Sequence, residues 1–588
     1  MLEQEPKATA SVQIVDQTST SLSTPERRLS SEKDTTALPS SQVADSFKPN
    51  AVFYALMSML AILTLVVALD ATALAVALPT ISQKLGGTGL QAFWSGTGYL
   101  LCGAVFQPVI GGISTLFGRV YILGGSIILF LVGCLTSALA QDFDTMLIGR
   151  AIQGIGGGGV VVMSEVLVCD MIPLRQRGQW FGMLSGMYAI GTVLGPVFGG
   201  LFAQHVTWRW IFWINIPFIG ISLALVPFSI KLKTPPQPFM SRLKRVDYGG
   251  CVLAIGSATS FILGISWGGV QYAWSEWQTI LPIVLGIVGY VVFFFYEEHV
   301  AVEPIVPTGV FKNLNCSASY INTIIHGIIV LSLVYYLPLY YEGVRGYNTT
   351  ITGVALFPET FTVAPAAVII GIVIGKVGKF RWAVWSGWLI SILGLGILWL
   401  LDVDTTIVEW VFLNLIAGVG TGFLYPAHQF SIQAATPDEN LAPAVSMWSF
   451  FRSVGQTLGV AVGGVILQNQ LLHNIRGYPN LAANAIEYSH NASALATMLR
   501  NMPPSQDRAD LKQAYADSLK VIWATMCGLA ALGLLVSLVV KDYPLDRLLP
   551  AEPTASDKQP SESSSESDLS EKPAEKTTVP FMSNGNNV

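Results

Sequence analysis

Two charged residues stand inside long apolar stretches of this sequence, Asp70 and Arg150. A charge in hydrocarbon costs several kcal/mol unless it is paired or faces a cavity, so both are candidate functional residues. Each lies about twenty residues from the same end of the bundle, roughly 30 Å along a helix, so the two side chains can meet. An arginine keeps a neighbouring carboxylate ionised, and separating them lets the carboxylate bind a proton. The pair is therefore either a proton-coupling site, with Asp70 as carrier, or a structural ion pair.

Other polar and aromatic residues within the apolar stretches are candidates for a substrate cavity. This set comprises Gln153, His326, Tyr336, Tyr340, Asn414, Arg452 and Gln456. Each also has a packing interpretation, since polar side chains bond between helices and tyrosines gather at membrane interfaces. Glu165 and His428 are expected at the interface, whereas Glu359 is assigned either to the cavity or to a buried structural role. A cavity of aromatic residues with few charges suits a planar, weakly polar compound better than a sugar.

The composition is that of a polytopic membrane protein. Of 588 residues, 52% are hydrophobic and 12% are charged, about half the charged share of a soluble protein. Much of the acid lies in the tails, so the net charge of -5 does not bear on nucleic-acid binding; the sequence offers no basic face, and no nucleic-acid partner is expected. The sequence shows no Cys-x-x-Cys pair, paired metal ligands, phosphate-binding glycine loop or catalytic triad. We therefore expect a non-enzyme without metal or cofactor, which draws its energy from an ion gradient.

Apolar stretches of about twenty residues, the length that crosses a bilayer as a helix, predict fourteen membrane spans. They cover 51–78, 92–111, 120–140, 146–166, 179–201, 210–230, 249–269, 279–296, 317–341, 352–375, 382–401, 410–428, 441–467 and 521–540. An even number places both tails on one side of the membrane. Lysine and arginine are concentrated in the short loops on that side, which predicts that both termini are cytoplasmic.

The chain repeats itself at a fixed offset. A glycine series that begins at Gly191 recurs from Gly455, and 455 − 191 = 264; Pro173 recurs as Pro437 at the same offset. Two homologous six-helix halves explain this repeat, as in transporters that rock about a central site. The predicted organisation is a disordered tail 1–50, an N-terminal half 51–230, a linker with two extra spans 231–314, a C-terminal half 315–541 with a long outer loop 468–520, and a disordered tail 542–588.

The fifth span carries closely spaced glycines. The residues are Gly182, Gly191, Gly195, Pro196, Gly199 and Gly200. Glycines four residues apart let another helix backbone approach closely, and Pro196 bends the helix at that face. An ordinary packing face would explain only Gly191 to Gly199. The full pattern resembles the antiporter motif of drug/proton antiporters in the major facilitator superfamily. The segments around Asp70 and Arg150 resemble the first and fourth spans of fourteen-span members of that family, with Ala75 where the family commonly has Asn.

The loop after the second predicted span resembles the superfamily's cytoplasmic loop motif. The matching segment holds Gly111, Thr115, Gly118 and Arg119. Thr115 stands where the family usually has Asp, and a threonine cannot form the charge pair that helps to latch the two halves together. How the chain holds its outward-open state is therefore open at the level of sequence.

The resemblance covers about residues 51–541. It implies an all-α polytopic major facilitator fold of two six-helix halves plus two inserted helices. It further implies a proton-coupled exporter of small, largely apolar organic compounds such as drugs, toxins or secondary metabolites, of the fungal efflux-pump type. Two alternatives stay open: a nutrient or siderophore importer of the same fold, and a non-transporting membrane receptor.

The expected surroundings of the chain follow from this interpretation. Its partners would be a small-molecule substrate, protons and the lipid bilayer, and it would act as a monomer. The expected location is the plasma membrane, with a vacuolar or vesicle membrane as the alternative. Glycosylation sequons at Asn348 and Asn491 fall in predicted outer loops and favour a glycoprotein.

Overall fold

The computed structural model describes residues 49–86, 89–229, 238–269, 271–490 and 492–545, so nearly all of the two predicted tails lies outside the described residues. Fourteen long helices account for most of this part of the chain. They are α1 (Ala51–Leu85), α2 (Gly89–Phe117), α3 (Arg119–Leu139), α4 (Phe143–Met171), α5 (Leu174–His205), α6 (Asn215–Ser229), α7 (Tyr248–Trp267), α8 (Trp277–His299), α9 (Leu314–Leu339), α10 (Phe357–Val377), α11 (Arg381–Ile397), α12 (Ile407–Ala435), α13 (Leu441–Arg476) and α14 (Gln506–Ser537).

Short helical segments connect several of these helices. They are Trp210–Trp213, Phe239–Arg245, Gly309–Lys312, Tyr340–Val344, Thr349–Ala355, Leu398–Leu400, Asp438–Asn440, Ala482–Asn484, Ala485–His490 and Ala492–Asn501. The segment Tyr340–Val344 is a π-helical turn that continues α9 after Leu339 and begins two residues beyond Pro338. A proline removes one helix donor, which favours such a local change of helix type.

Thirteen helices of the described chain are long and apolar enough to cross a membrane. The exception is the predicted sixth span, where the apolar stretch Trp210–Val226 is shorter and is interrupted before Asn215. Pro217 has no N–H to donate to the Trp213 carbonyl, so one helix hydrogen bond is missing at this interruption. The all-α fold is confirmed, with α6 preceded by a separate single turn.

The loop predicted at 468–520 is mostly helical. Helix α13 extends to Arg476 and α14 begins at Gln506, well before the predicted start of the last span at 521. Asn474 on α13 donates to the Ser518 hydroxyl on α14 at 3.0 Å. The two helices bond to each other beyond their most apolar parts. Spans predicted from apolar stretches alone are therefore shorter than these helices.

The helices pack as two similar halves. In the first half α1 lies along α5 and α3 lies along α4, and in the second α9 lies along α13 and α11 lies along α12. The halves meet where α5 packs on α10 and α2 packs on α13, while α7 and α8 pair with each other beside α2. Because the helices alternate in direction, the starts of α1 and α13 and the ends of α4 and α14 share one end of the bundle, called the tail end below.

Candidate functional site

Asp70 and Arg150 meet in the centre of the first half. Asp70 Oδ2 accepts from Arg150 Nη1 at 2.5 Å, and both side chains are fully buried. Asp70 lies on α1 and Arg150 on α4, so the pair joins two helices that are distant in sequence. Removing one partner of a buried pair costs about 3–5 kcal/mol because the other charge is left uncompensated. The geometry therefore allows the pair to act as a switch or as a structural tie.

Four further groups fix the position of this pair. Arg150 Nη1 also donates to Gln153 Oε1 at 2.7 Å, and Arg150 Nε donates to the Ser95 carbonyl at 3.0 Å. Asn215 Nδ2 donates to Asp70 Oδ1 at 3.0 Å. The Arg150 guanidinium lies 4.2 Å from the centre of the Tyr99 ring, in cation–π geometry. Asn215 was not among the predicted site residues, although an amide inside an apolar stretch is the kind of signal that identified Gln153.

A cavity lies between the two halves. Of the predicted cavity residues, His326, Arg452 and Gln456 line it. Its wall is otherwise mainly apolar and aromatic, and includes Ala71, Thr72, Leu100, Tyr188, Thr192, Tyr335, Glu359, Val363 and Tyr425. Ala71 and Thr72 directly follow Asp70 in the chain. The ion pair is therefore adjacent to the cavity wall without forming part of it.

Four residues predicted to line the cavity lie elsewhere. Gln153 bonds to Arg150 and to Cys134 Sγ, and Asn414 donates to the Tyr341 hydroxyl. The hydroxyl of Tyr336 donates to the Val460 carbonyl, and that of Tyr340 donates to the Asp402 carbonyl. Each of these side chains is directed into helix packing. On α9 it is the neighbouring Tyr335 that lines the cavity, since adjacent helical residues differ by about 100° in direction.

Glu165 and His428 are buried rather than interfacial, which corrects the expectation for both. Glu165 Oε1 on α4 accepts from Arg452 Nη2 on α13 at 3.1 Å, so this ion pair connects the two halves. Arg452 also donates to the Tyr425 hydroxyl at 3.2 Å. The His428 ring lies 5.9 Å from the His326 ring. Both residues lie near helix ends in sequence, but neighbouring helices cover them.

The glycines of α5 contact two different helices. A Cβ atom at Gly191, Gly195 or Gly199 would overlap the α1 backbone. At Gly182 it would lie 2.6 Å from the Val368 Cα of α10, in the other half. The glycine face therefore packs α5 against its own half along one part and against the second half along another, and Pro196 lies within the same helix.

The loop motif contacts both halves at the tail end. Gly111 packs directly on the Ser446 side chain of α13, and Gly118 has a φ of 95°, which suits glycine alone. The Thr115 hydroxyl donates to the Gly112 carbonyl and takes no part in a charge pair. Arg119 instead pairs with Asp170 at the end of α4, at 2.9 Å.

The two sequons differ in what the structure describes. Asn348 is exposed and caps the helix Thr349–Ala355, where its Oδ1 accepts from the Ile351 N–H at 2.8 Å. Asn491 lies outside the described residues. Among the described residues, no cluster of three or more His, Cys, Asp or Glu side chains could hold a metal ion.

A membrane-embedded bundle of two similar halves around a central cavity is the architecture of a secondary transporter. The sequence model of the Major Facilitator Superfamily matches residues 60–413. The chain therefore belongs to the Major Facilitator Superfamily and is a multi-pass membrane transporter rather than an enzyme.

Three fungal relatives and one solved structure illustrate the similarity. The chain is 46% identical over 503 residues to MFS transporter L2 of Phoma sp., covering 86% of this chain and 84% of that protein. It is 34% identical to efflux pump FUS6 of Gibberella fujikuroi, covering 88% and 95%, and 34% identical to the MFS-type efflux pump LUC4 of Fusarium sp, covering 85% and 89%. The human organic anion transporter MFSD10 has the same fold at 12% identity, with a TM-score of 0.53 over 82% of this chain and 99% of that chain.

Proposed function

We propose that this protein is a proton-coupled antiporter that exports small, largely apolar organic compounds such as drugs, toxins or secondary metabolites. The observation that carries the proposal is the buried Asp70–Arg150 pair next to the wall of an apolar and aromatic cavity. Two of the fungal relatives are named efflux pumps, which supports the export direction.

Coupling follows from the position of Asp70 on α1. While Arg150 Nη1 and Asn215 Nδ2 bond to its two oxygens, the carboxylate is stabilised as an anion. Motion of α1 relative to α4 would lengthen these bonds, and the buried carboxylate would then take up a proton. Ala71 and Thr72 move with Asp70 and form part of the cavity wall. Protonation therefore changes the cavity, and substrate and proton can exclude each other.

Rocking of the two halves requires helix contacts that can slide and contacts that close one end of the cavity and can break. The glycines of α5 supply the first, because their contacts on α1 and α10 contain little side-chain interlocking. The Glu165–Arg452 pair supplies the second on the tail side of the cavity, together with the hydrogen bond from Arg177 Nη1 to Gln433 Oε1 at 3.0 Å. Both contacts join the two halves and would break when the tail end opens.

The mainly apolar cavity wall supports the substrate class. Tyr188, Tyr335 and Tyr425 offer ring faces and hydroxyl groups, and His326 and Gln456 add a few directional polar groups. A planar compound with a few hydrogen-bonding groups fits such a wall. As part of the same proposal, the protein acts as a monomer in the plasma membrane with both termini cytoplasmic, and uses the proton gradient without a cofactor.

Accumulation of a chemically broad panel of drugs and toxins in cells that lack their own pumps tests the proposal. Wild type should lower accumulation of some compounds, and both Asp70→Asn and a protonophore should abolish this effect. Asp438→Asn removes an exposed carboxylate outside the site and serves as the matched control, which should behave as wild type. Raised accumulation would indicate an importer instead. Binding without any flux would indicate a receptor.

A further inference from the structure

A line of polar residues runs along the face of α9 that packs on α12. It consists of Asn315, Ser319, Asn322 and His326, all buried. Their spacings of four, three and four residues place them on one helix face. Ionisable residues inside membrane spans mark ion and proton pathways, and neutral polar residues there also hydrogen-bond between helices, so the partners of each side chain decide its role.

Both ends of this line have identified partners. Asn315 Nδ2 donates to Ser431 Oγ at 2.9 Å, and Ser319 Oγ lies 2.7 Å from the same hydroxyl. At the other end, His326 Nε2 lies 3.0 Å from the Thr421 carbonyl, and the His326 side chain lines the cavity. The line therefore extends from the cavity towards the tail end. There Asn315 Oδ1 accepts from the backbone N–H of Lys541, just beyond α14.

The middle of the line lacks protein partners. Neither Nδ2 nor Oδ1 of Asn322, and neither ring nitrogen of His428, has a hydrogen-bond partner among the described residues. Ser319 reaches Ser431 and His326 reaches Thr421, so Asn322 between them faces the part of α12 that contains His428. A buried polar group without a partner costs about 1–3 kcal/mol, and internal water is the usual partner where protein offers none.

We propose that these residues, called the polar seam below, bind a chain of water molecules that carries protons between the tail end and the cavity. His428, with neither ring nitrogen bonded to protein, accepts a proton on one nitrogen and releases another from the second, which leaves the ring in its other neutral tautomer until the ring turns over. His326 donates Nε2–H to the Thr421 carbonyl and therefore takes up and returns a proton through Nδ1. The proton-carrying role of the polar seam rests on the proposed function, because only a proton-coupled transporter needs such a path. The presence of water in the seam does not depend on whether the protein exports anything.

The ionisable groups around the seam are few. His326 on α9 and His428 on α12 belong to it, Arg452 on α13 acts electrostatically on His326, and Glu359 on α10 lines the same cavity. Helix α11 presents Trp388, whose ring lies 5.6 Å from that of His428. A proton that arrives at His326 therefore enters the cavity that Glu359 and the residues next to Asp70 also border.

The corresponding face of α1 shows that this polarity is specific to the second half. Gly191 and Gly195 of α5 pack on the carbonyls of Leu65 and Leu69, and the repeat-related Gly455 and Gly459 pack on those of Ile324 and Ile328. The offset between α1 and α9 is therefore 324 − 65 = 328 − 69 = 259. The counterparts of the four seam residues at this offset are Leu56, Leu60, Leu63 and Val67, all buried.

Hydroxyl-radical footprinting of the full chain in lipid nanodiscs tests the water content without any substrate. An X-ray pulse makes radicals from bound water, which oxidise the side chains next to it. His428 should be oxidised although it is only 1% exposed. Met59 and Met163 of the first half are equally buried and intrinsically more reactive, and they should remain unmodified. Oxidation of His428 no faster than that of Met59 would overturn the proposal.

Asn322→Leu tests proton conduction, with Asn322→Ser as the conservative control. Leucine should lower His428 oxidation several-fold and slow proton-coupled export about tenfold while leaving substrate affinity unchanged, and serine should retain both. If the leucine variant proves unstable, His428→Phe tests the export rate from α12, where it should cause the same slowing. Normal export by a variant whose seam is dry would overturn the proton role. Wild type that exports nothing yet shows oxidised His428 would reject the proposed function and leave the hydrated seam standing.

Discussion

The two halves share a backbone plan and differ in where they place polar chemistry. At the offset of 259 Asp70 corresponds to Ile329, and at the offset of 264 Arg150 corresponds to Asn414. Asn414 bonds to Tyr341, so the second half replaces the buried charge pair with a neutral hydrogen bond. Conversely, the positions that form the polar seam in the second half are occupied by apolar residues in the first half.

This contrast shows that the two halves share their glycine-mediated helix packing, whereas their buried polar residues differ. The contacts of Gly191 and Gly195 with α1 recur as those of Gly455 and Gly459 with α9, even though the side chains between them have changed. Two halves with the same helix packing can therefore have different functions. In the function proposed above, the first half holds the proton-exchanging carboxylate and the second supplies the path to the cavity.

The largest expected difference between the halves is the loss of stability when Arg150 on α4, or Asn414 at the equivalent position on α12, is replaced by leucine. Arg150→Leu leaves the fully buried Asp70 carboxylate without a cation and should cost about 3–5 kcal/mol of stability. Asn414→Leu leaves the buried Tyr341 hydroxyl without its partner and should cost less, about 1–3 kcal/mol. Thermal unfolding of the purified proteins measures both.

A double variant separates charge from packing in the first half. Asp70→Leu combined with Arg150→Leu removes both charges, so most of the lost stability should return while transport stays absent. Equal costs for the Arg150 and Asn414 variants would contradict the view that only the first half holds a charge-dependent centre.

The ion pair between the halves should give the next largest effect. Glu165→Gln replaces a charge-assisted hydrogen bond to Arg452, worth about 1.5–3 kcal/mol, with a weaker one. The tail end should then open about tenfold more often. Cys169, one turn after Glu165 on α4 and 1% exposed, should react correspondingly faster with a maleimide, as measured by mass spectrometry of its peptide.

The repeat supplies the control for this experiment. Gln429 occupies the position of Glu165 in the second half, since 429 − 165 = 264. Of Glu165 and Gln429, only Glu165 forms the ion pair with Arg452 that joins the halves. Gln429→Leu should therefore leave the reactivity of Cys169 unchanged, and a similar acceleration in both variants would mean that general loosening, rather than the ion pair, controls access.

The third glycine of each series distinguishes backbone from side-chain contacts. A Cβ at Gly199 would overlap the Ala73 carbonyl of α1, whereas a Cβ at Gly463 would overlap the Tyr336 ring of α9. Overpacking typically costs about 1–3 kcal/mol, so each alanine variant should lower the melting temperature. Tyr336→Leu should restore stability to Gly463→Ala. Shortening Leu69 or Leu74 on α1 should not rescue Gly199→Ala, because the obstacle there is main chain.

The sequence was sufficient for the helices, the repeat and the Asp70–Arg150 pair, because apolar length, glycine spacing and depth along a helix are properties of local sequence. Contacts between the two halves were harder to predict. Glu165 and Arg452 come from different halves, so nothing local to either residue indicates their pairing. Tyr335 was missed beside Tyr336 because a cluster of tyrosines does not show which of its members faces the cavity.

The caps of α4 and α12 should give the smallest difference. They occupy equivalent positions, since 406 − 142 = 264, but the capping residue itself is charged in Asp142 and neutral in Thr406, which forms a capping box with Glu409. The hydrogen bond from the Thr145 N–H, at 2.7 Å, holds the pKa of Asp142 below its usual value. Its stabilising effect is therefore complete above the ordinary pKa of about 3.9 and is lost as the pH falls through the lowered value.

Acidification from pH 5.5 to pH 3.5 should accordingly destabilise wild type slightly more than Asp142→Asn. Asparagine caps a helix about as well as aspartate but cannot be protonated in this range. Thr406→Ser exchanges one neutral cap for another and should follow wild type across the same interval. Melting temperatures of the three proteins at both pH values measure the effect. A wild-type loss no greater than that of Asp142→Asn would show that the charge at this cap adds nothing to its hydrogen bond, and that the two halves are equivalent at their α4 and α12 caps.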